Sequence, residues 1–332
     1  MGSRRSGSRS AVPRLAGVFD PCAGALGLAT MGKASRRRNV GSENVQERRT
    51  KDLSTRSAPF VARPFEGLSG ETDWVALREV VPAATATVTF ASGVVPADRP
   101  QTATVATMLP VGWSGLRRID GAVMVALQSG STTGDAGRDI AQRLLATAAA
   151  EPGVPLTSTP LATLATPRLH DILDPSAAFE VTVHEGFDFW VADTDDLDED
   201  GKEAIERANA SAIPTTKLSS VPSAYWCRVG ERSYLRWVLP YDEDAATVAL
   251  ARLHAVASTS LGEGTRLLGA FRACGLLVPV WDLDPALVGD DYEGEVADLA
   301  VRLGEALTQT GALNAEERRA RSGLLSRQVT LR

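Results

Sequence analysis

The sequence predicts an α+β protein in which repeated β-hairpin-plus-helix units share a mostly antiparallel sheet, with a helical C-terminal part. Three observations carry that prediction. The stretch Ala178 to Ala212, AFEVTVHEGFDFWVADTDDLDEDGKEAIERANASA, reads as two short strands, an acidic cap and a helix. Ala224 to Ala257, AYWCRVGERSYLRWVLPYDEDAATVALARLHAVA, repeats that order. A looser copy lies upstream, with strands over 102–109 and 122–127 and a helix over 140–149. A lone hairpin does not stay folded, so such units need a common core.

In the first copy Phe179, Val181 and Val183 alternate with Glu180, Thr182 and His184, the period of a half-buried strand. Glu185-Gly186 is the expected turn, and Phe187, Phe189 and Val191 the inward positions of a return strand. In the second copy Gly230-Glu231 separates Tyr225–Val229 from Arg232–Leu239, with Gly first as a type II′ turn requires. Trp190-Val191 and Trp237-Val238 each stand a few residues before an acidic cluster. The turns do not align with these pairs at one offset, so the repeat is loose.

The 332 residues include 44% hydrophobic and 23% charged residues, an ordinary globular balance. A chain of this size buries about three quarters of its unfolded surface without disulfides or metals. The formal net charge of −6 hides a polarity. Residues 1–63 hold 13 Lys or Arg against 4 Asp or Glu, a net +9, and the remainder holds 22 against 37, a net −15. Three scattered cysteines, Cys22, Cys227 and Cys274, form no CxxC pair and fit a reducing cytoplasm. No run of about eighteen apolar residues marks a membrane span.

In chain order, residues 1–58 read as a basic, disordered arm and 59–332 as a single α+β body. Within the arm, 1–30 reads as an upstream extension, because Asp20-Pro21 interrupts its apolar stretch and Met31 offers a second start. Arg36, Arg37, Arg38, Arg48, Arg49 and Lys51 carry its charge with no aromatic interleaved. A solvated tail is the bland reading; the sharper one is salt-sensitive contact with nucleic-acid phosphates or another anionic surface. The body opens with a helix over 71–81 that turns Trp74, Leu77 and Val81 inward, stopped by Pro82, and then a strand over 86–91. Between the strand 122–127 and the helix 140–149, QSGSTTGDAGRD is Gly-rich but has no Walker lysine. Capping by Thr133 or Asp135 competes there with anion binding. A connector follows over 151–167, with one helical turn at 168–173. Beyond the second copy come a short helix over 267–274, a strand over 277–281 and a helix over 290–307. A last helix is capped by Asn314.

Two sets of residues are candidate chemistry. Asp196, Asp198, Asp200 and Gly201 match the start of a calcium loop, but Arg207 stands where the bidentate Glu belongs. Helix capping is the competing reading. His184, Glu185 and Asp188 bring an imidazole and two carboxylates to one turn, a set that suits Zn or Mn, and a turn is equally where solvated polar residues belong. The remaining histidines, His170 and His254, lie in other elements, and no GxSxG elbow occurs. Tyr225, Trp226, Tyr234 and Trp237 share one hairpin and read as core packing before they read as a docking face.

The strings RPFEGL, ETDWVALREVVPAATA, VALQSGSTTGDAGRDIA, FEVTVHEGFDFWV and YDEDAATVALARLHA together resemble an actinobacterial family of unknown function. The resemblance runs from about Met31 to the end of the chain. Relatives in that family carry names such as SecA-type translocase or topoisomerase, which this sequence does not support, since a motor ATPase needs a Walker loop. The resemblance implies no reaction, ligand or catalytic residue. The functional expectation is a non-enzymatic, cytoplasmic binding or adaptor protein whose basic arm touches an anionic partner, with no cofactor. The alternative is a metal-assisted enzyme or small-ligand binder using His184, Glu185 and Asp188.

Overall fold

Helix α1, Glu71–Glu79, opens the body with Glu71 and Asp73 in its first turn, where carboxylates oppose the helix dipole. It buries Trp74, Val75, Ala76 and Leu77. Trp74 lies between two rings, with centroids 5.7 Å from Phe65 and 4.2 Å from Phe179. The computed structural model describes residues 53–128, 132–193 and 197–326, which fall within one compact unit. Before α1, Ser57 bridges Thr163 and Ala58 is buried.

The α+β class is as the sequence predicts, with a helical C-terminal part, but the strands divide between two sheets. The first contains β1 Ala84–Thr89, β2 Thr102–Ala106, β3 Gly115–Arg117, β4 Val123–Ala126, β5 Pro155–Leu156 and β6 Val181–Val183. Their order is β5-β3-β4-β2-β1-β6. Only β2 and β4 run parallel; the other pairs are antiparallel. All four residues of β4 are buried, as a central strand demands. Helix α2, Ala136–Ala149, packs on β3 and β4. Gly115 permits that approach, since a Cβ there would come within 2.0 Å of Thr147 Oγ1. A four-residue helix α3, Leu169–Ile172, precedes β6.

Helix α4, Glu199–Ala210, leads to the second sheet. That sheet holds β7 Thr215–Lys217, β8 Ala224–Val229, β9 Arg232–Trp237, β10 Arg266–Ala273 and β11 Leu276–Leu283. Its order, β10-β11-β9-β8-β7, is antiparallel throughout. Helices α5 Glu243–Ala255, α6 Glu293–Leu307 and α7 Ala315–Ser326 follow β9 and β11. Trp226, Trp237, Trp281, Leu250, Leu253, Val296 and Leu303 share a core on one side of this sheet. Tyr225, Val238, Leu276 and Val278 instead join Trp74, Val105, Val125 and Ile140 in the core of the first sheet. Asp73 strengthens that junction by accepting from Ser223 Oγ at 2.6 Å and Tyr225 Oη at 2.9 Å, and by pairing with Lys217 at 2.9 Å.

Three expected elements differ. The return strand 187–191 is a short 3-10 turn, Asp188–Trp190, and β6 pairs with β1 instead. Gly186 is not at positive φ. It is needed because Asn209 Oδ1 would lie 2.4 Å from a Cβ there, and the same oxygen accepts from the Phe187 N–H at 2.6 Å. The upstream pair is not a hairpin either, because β3 intervenes and leaves β2 and β4 parallel. The expected helix over 267–274 is β10, joined to β11 through Cys274 (φ 46) and Gly275 (φ 80), both in the left-handed region that a two-residue hairpin turn uses. Among the described residues no helix is long and apolar enough to cross a membrane.

Candidate functional site: an apolar cleft at the edge of the first sheet

The outer end of the first sheet is short. Strand β5 has two residues, and one is Pro155, which has no N–H to offer a further strand. Beside it the β3–β4 turn is held by an Arg118 Nη2 to Asp120 Oδ2 contact of 2.5 Å and by the Ala122 N–H on Asp120 Oδ1 at 2.9 Å. The Arg118 guanidinium and the Ala122 amide together lower the Asp120 carboxyl below the ordinary carboxylate range. Across from this turn lies the segment that the sequence presents as a return strand. Phe187 stacks on Trp190 at 4.7 Å, and the Trp190 indole N–H donates to Met108 O at 3.0 Å. Trp113, Phe189 and Trp190 pack on Ala106, Leu109, Met124 and Ala126 of the first sheet.

Helix α4 completes the wall. Asp198 caps it, accepting from the Gly201 N–H at 2.9 Å, and Ile205 is its one buried residue. Between these parts lies a cleft of about 740 Å³. Trp113, Leu116, Ile119, Trp190, Leu197 and Ile205 give it an apolar lining, and Arg118, Asp120 and Asp193 are its charged groups. That volume and that ratio of apolar to polar lining are those of small-molecule sites. A second hollow, of about 90 Å³, lies beside Trp74, His170 and Phe179 and has room for little more than solvent.

The rim is also apolar. Val111 is 92% exposed and Ile119 87% exposed, and Val154, next to cleft-lining Gly153 and Pro155, is 55% exposed. Val111 has φ 53 and ψ 21. A β-branched residue in the left-handed region is strained, and strain of this kind gathers at binding and switching sites.

The candidates from the sequence stand elsewhere or apart. His184 lies at the end of β6, its Nε2 2.8 Å from Thr85 Oγ1 and its ring 4.7 Å from Phe189. Burial lowers its pKa and favours the neutral imidazole. Glu185 is exposed, and Asp188 accepts from Asn209 Nδ2 at 2.9 Å. Among the described residues no hydrogen bond or ion pair joins these three. Asp198 serves as the α4 cap, Asp200 is exposed in its first turn, and Asp196 lies outside the described residues. Among the described residues no group of three or more His, Cys, Asp or Glu side chains is placed to hold a metal ion. Arg36, Arg37, Arg38, Arg48, Arg49 and Lys51 lie outside the described residues.

Elsewhere, Asp135 caps α2 through the Arg138 N–H at 3.2 Å, and Asp139 holds Thr133, so the helix start after the Gly-rich loop is met by its own carboxylates. His254 is exposed, and exposed His170 meets Glu66 O at 2.7 Å. Tyr225, Trp226, Tyr234 and Trp237 are all buried, which makes them core packing. The sequence reading missed the cleft. Its signal lies in LPVGW and RRIDG, where Val111 and Ile119 occupy turn positions that polar residues ordinarily take.

Fold and site together define an α+β protein with an open apolar cleft at a sheet edge. The chain belongs to a family of unknown function, DUF5926, whose model matches residues 64–332. Comparison with curated proteins and with solved structures gives no match.

Proposed function

We propose that this is a non-enzymatic binding or adaptor protein whose cleft takes an apolar small molecule and whose basic arm contacts an anionic partner. The cleft carries the reading: about 740 Å³ of mostly apolar space, with two tryptophans in its wall and one ion pair at its turn. His184 engages Thr85, Asp188 engages Asn209 and Glu185 faces solvent, which supports binding over catalysis at that turn. Cys227 and Cys274 are free thiols, which supports a reducing, cytoplasmic setting.

The test is titration of the full chain with the environment-sensitive dye anilinonaphthalene sulfonate. The expected result is saturable binding at one site, lost in Ala204→Trp. Ala204 is an exposed, cleft-lining residue of α4, so the indole fills the space without entering the core. Binding that is unsaturable, or unchanged in the variant, rejects the cleft. For the arm, the net +8 of residues 1–58, from 12 Lys or Arg against 4 Asp or Glu, supports contact with an anion. Replacing Arg36, Arg37, Arg38, Arg48, Arg49 and Lys51 with Gln is expected to remove salt-dependent RNA or DNA retention on a filter. Equal retention by the parent and the variant counts against the arm.

A further inference from the structure

We infer that the ligand is the acyl chain of a lipid, and that the rim of the cleft seats on an anionic bilayer surface to receive it. This rests on the reading of the cleft as an apolar binding site.

Three separate loops bring apolar side chains outward around one opening. Val111 belongs to the turn after β2, Ile119 to the β3–β4 turn, and Val154 to the segment between α2 and β5. Ile119 also touches the neighbouring loop, since a Cβ on Gly153 would stand 3.2 Å from its Cγ1. Exposed apolar residues scattered singly need no explanation, but three that ring an apolar cavity form a surface that water does not favour. Val111 adds a second reason. Its backbone lies where glycine is at ease and valine is strained, and its side chain touches little of the protein. Neither folding nor packing accounts for a valine there; insertion into an apolar phase does.

The chemistry of the wall separates a hydrocarbon from a peptide. A bound peptide brings N–H and C=O groups that need partners once water leaves. The nearest sheet edge offers Pro155 and a two-residue strand, so strand addition has little to grip. An acyl chain needs no partner inside, and only its head group must reach Arg118 or water at the mouth. Charge then selects the source of the lipid. An apolar insertion with a polybasic segment is the two-signal pattern of peripheral membrane binding. Residues 1–58 supply a net +8, whereas the remainder, at −14, is repelled by an anionic surface. Attachment is therefore expected to weaken with salt and to need both signals.

The test is co-sedimentation of the full chain with vesicles of phosphatidylcholine, with and without phosphatidylserine, run beside the dye titration. The expected result is binding to the phosphatidylserine vesicles. It falls more than about tenfold, or 1.4 kcal/mol, in the double variant Val111→Asp, Val154→Asp, whose positions lie outside the cleft lining and whose dye binding in solution is retained. Val301→Asp, on the outer face of α6 and 63% exposed in the parent, leaves vesicle binding unchanged. The variant with Gln at the six basic positions loses the preference for phosphatidylserine. Dye binding without vesicle binding overturns the lipid inference and leaves the cleft standing; absence of dye binding removes the cleft itself. Vesicle binding that ignores the rim substitutions, or a concentration-dependent dimer that the rim variant abolishes in place of vesicle binding, overturns the inference as well.

Discussion

Trp190-Val191 and Trp237-Val238 are the same pair of side chains placed in opposite environments. Trp237 sits in β9, 2% exposed, with its indole N–H donated to Pro222 O at 3.0 Å and helices packed over its face of the sheet. Trp190 sits in a 3-10 turn, half-buried, with its indole N–H on Met108 O and one side on an open cleft. The difference arises in the helices on the C-terminal side of each pair. After Trp237, α5 and later α6 and α7 close a core around Trp226, Trp281 and Leu250. After Trp190, α4 comes back with a single buried residue, Ile205, which lines the cleft together with exposed Ala204. Two similar strings thus give one closed core and one open site, because cover is a tertiary property.

The largest expected effect tests that contrast directly. Trp237→Ala is expected to cost about 3 to 5 kcal/mol in denaturant unfolding, the range for a large aromatic removed from a core. Trp190→Ala is expected to cost about 1 kcal/mol, mostly the lost contact with Phe187, while weakening dye binding strongly. Equal costs for the two would break the comparison.

Next in size is the junction of the two sheets. Asp73→Ala strands Ser223, Tyr225 and Lys217, which now share its carboxylate, and is expected to cost roughly 3 kcal/mol. Dye affinity should not change, since these residues do not line the cleft.

A smaller effect has the opposite sign. Val111→Gly relieves a left-handed valine and is expected to raise stability by about 0.5 to 1 kcal/mol after the greater freedom of glycine in the unfolded chain is counted. The same variant should bind vesicles less well. A loss of stability would mean that the valine side chain serves the fold, which its exposure argues against.

The smallest effects are in pH. His184 has a depressed folded pKa, so its contribution is present above the unfolded imidazole value of about 6.5 and is lost as pH falls through the lower folded value. Glu293 behaves alike at lower pH. Burial opposes its ionisation, but hydrogen bonds from Ser219 and Ser220 outweigh burial and hold its carboxyl at about 2. Its contribution is present above about 4.5, its ordinary value, and fades as pH drops toward 2. Thermal melts across these windows should flatten below about pH 6.5 in His184→Asn and between about pH 2 and 4.5 in Glu293→Gln.

Local chemistry explains which parts were legible in the sequence. The β8–β9 hairpin is announced by alternation and by Gly230, which has φ 59 as its turn needs. The caps at Asp135, Asp198, Asp242 and Asn314 are likewise where short acceptor side chains precede apolar periodicity. Strand β10 was hidden because Leu267, Leu268, Ala270, Phe271 and Cys274 also satisfy helical spacing, and only pairing with β11 decides between the two. Phe187 and Phe189 alternate as a strand would, yet Asn209, twenty-two residues after Phe187, takes the Phe187 N–H and bends the chain. The cleft was hidden for the same reason: its walls come from residues 110–120, 153–155, 190–193 and 197–205, and no local pattern states that they face one another.

The central claim is that the space between the β3–β5 edge and α4 holds an apolar chain. The most direct measurement is quenching of tryptophan fluorescence by a brominated fatty acid, since bromine quenches only on contact. The account predicts saturable quenching at stoichiometric ligand in the parent and its loss in the double variant Trp113→Phe, Trp190→Phe, while Trp74, Trp226, Trp237 and Trp281 stay unquenched. Quenching that is absent in the parent, or that persists undiminished in the double variant, would contradict it.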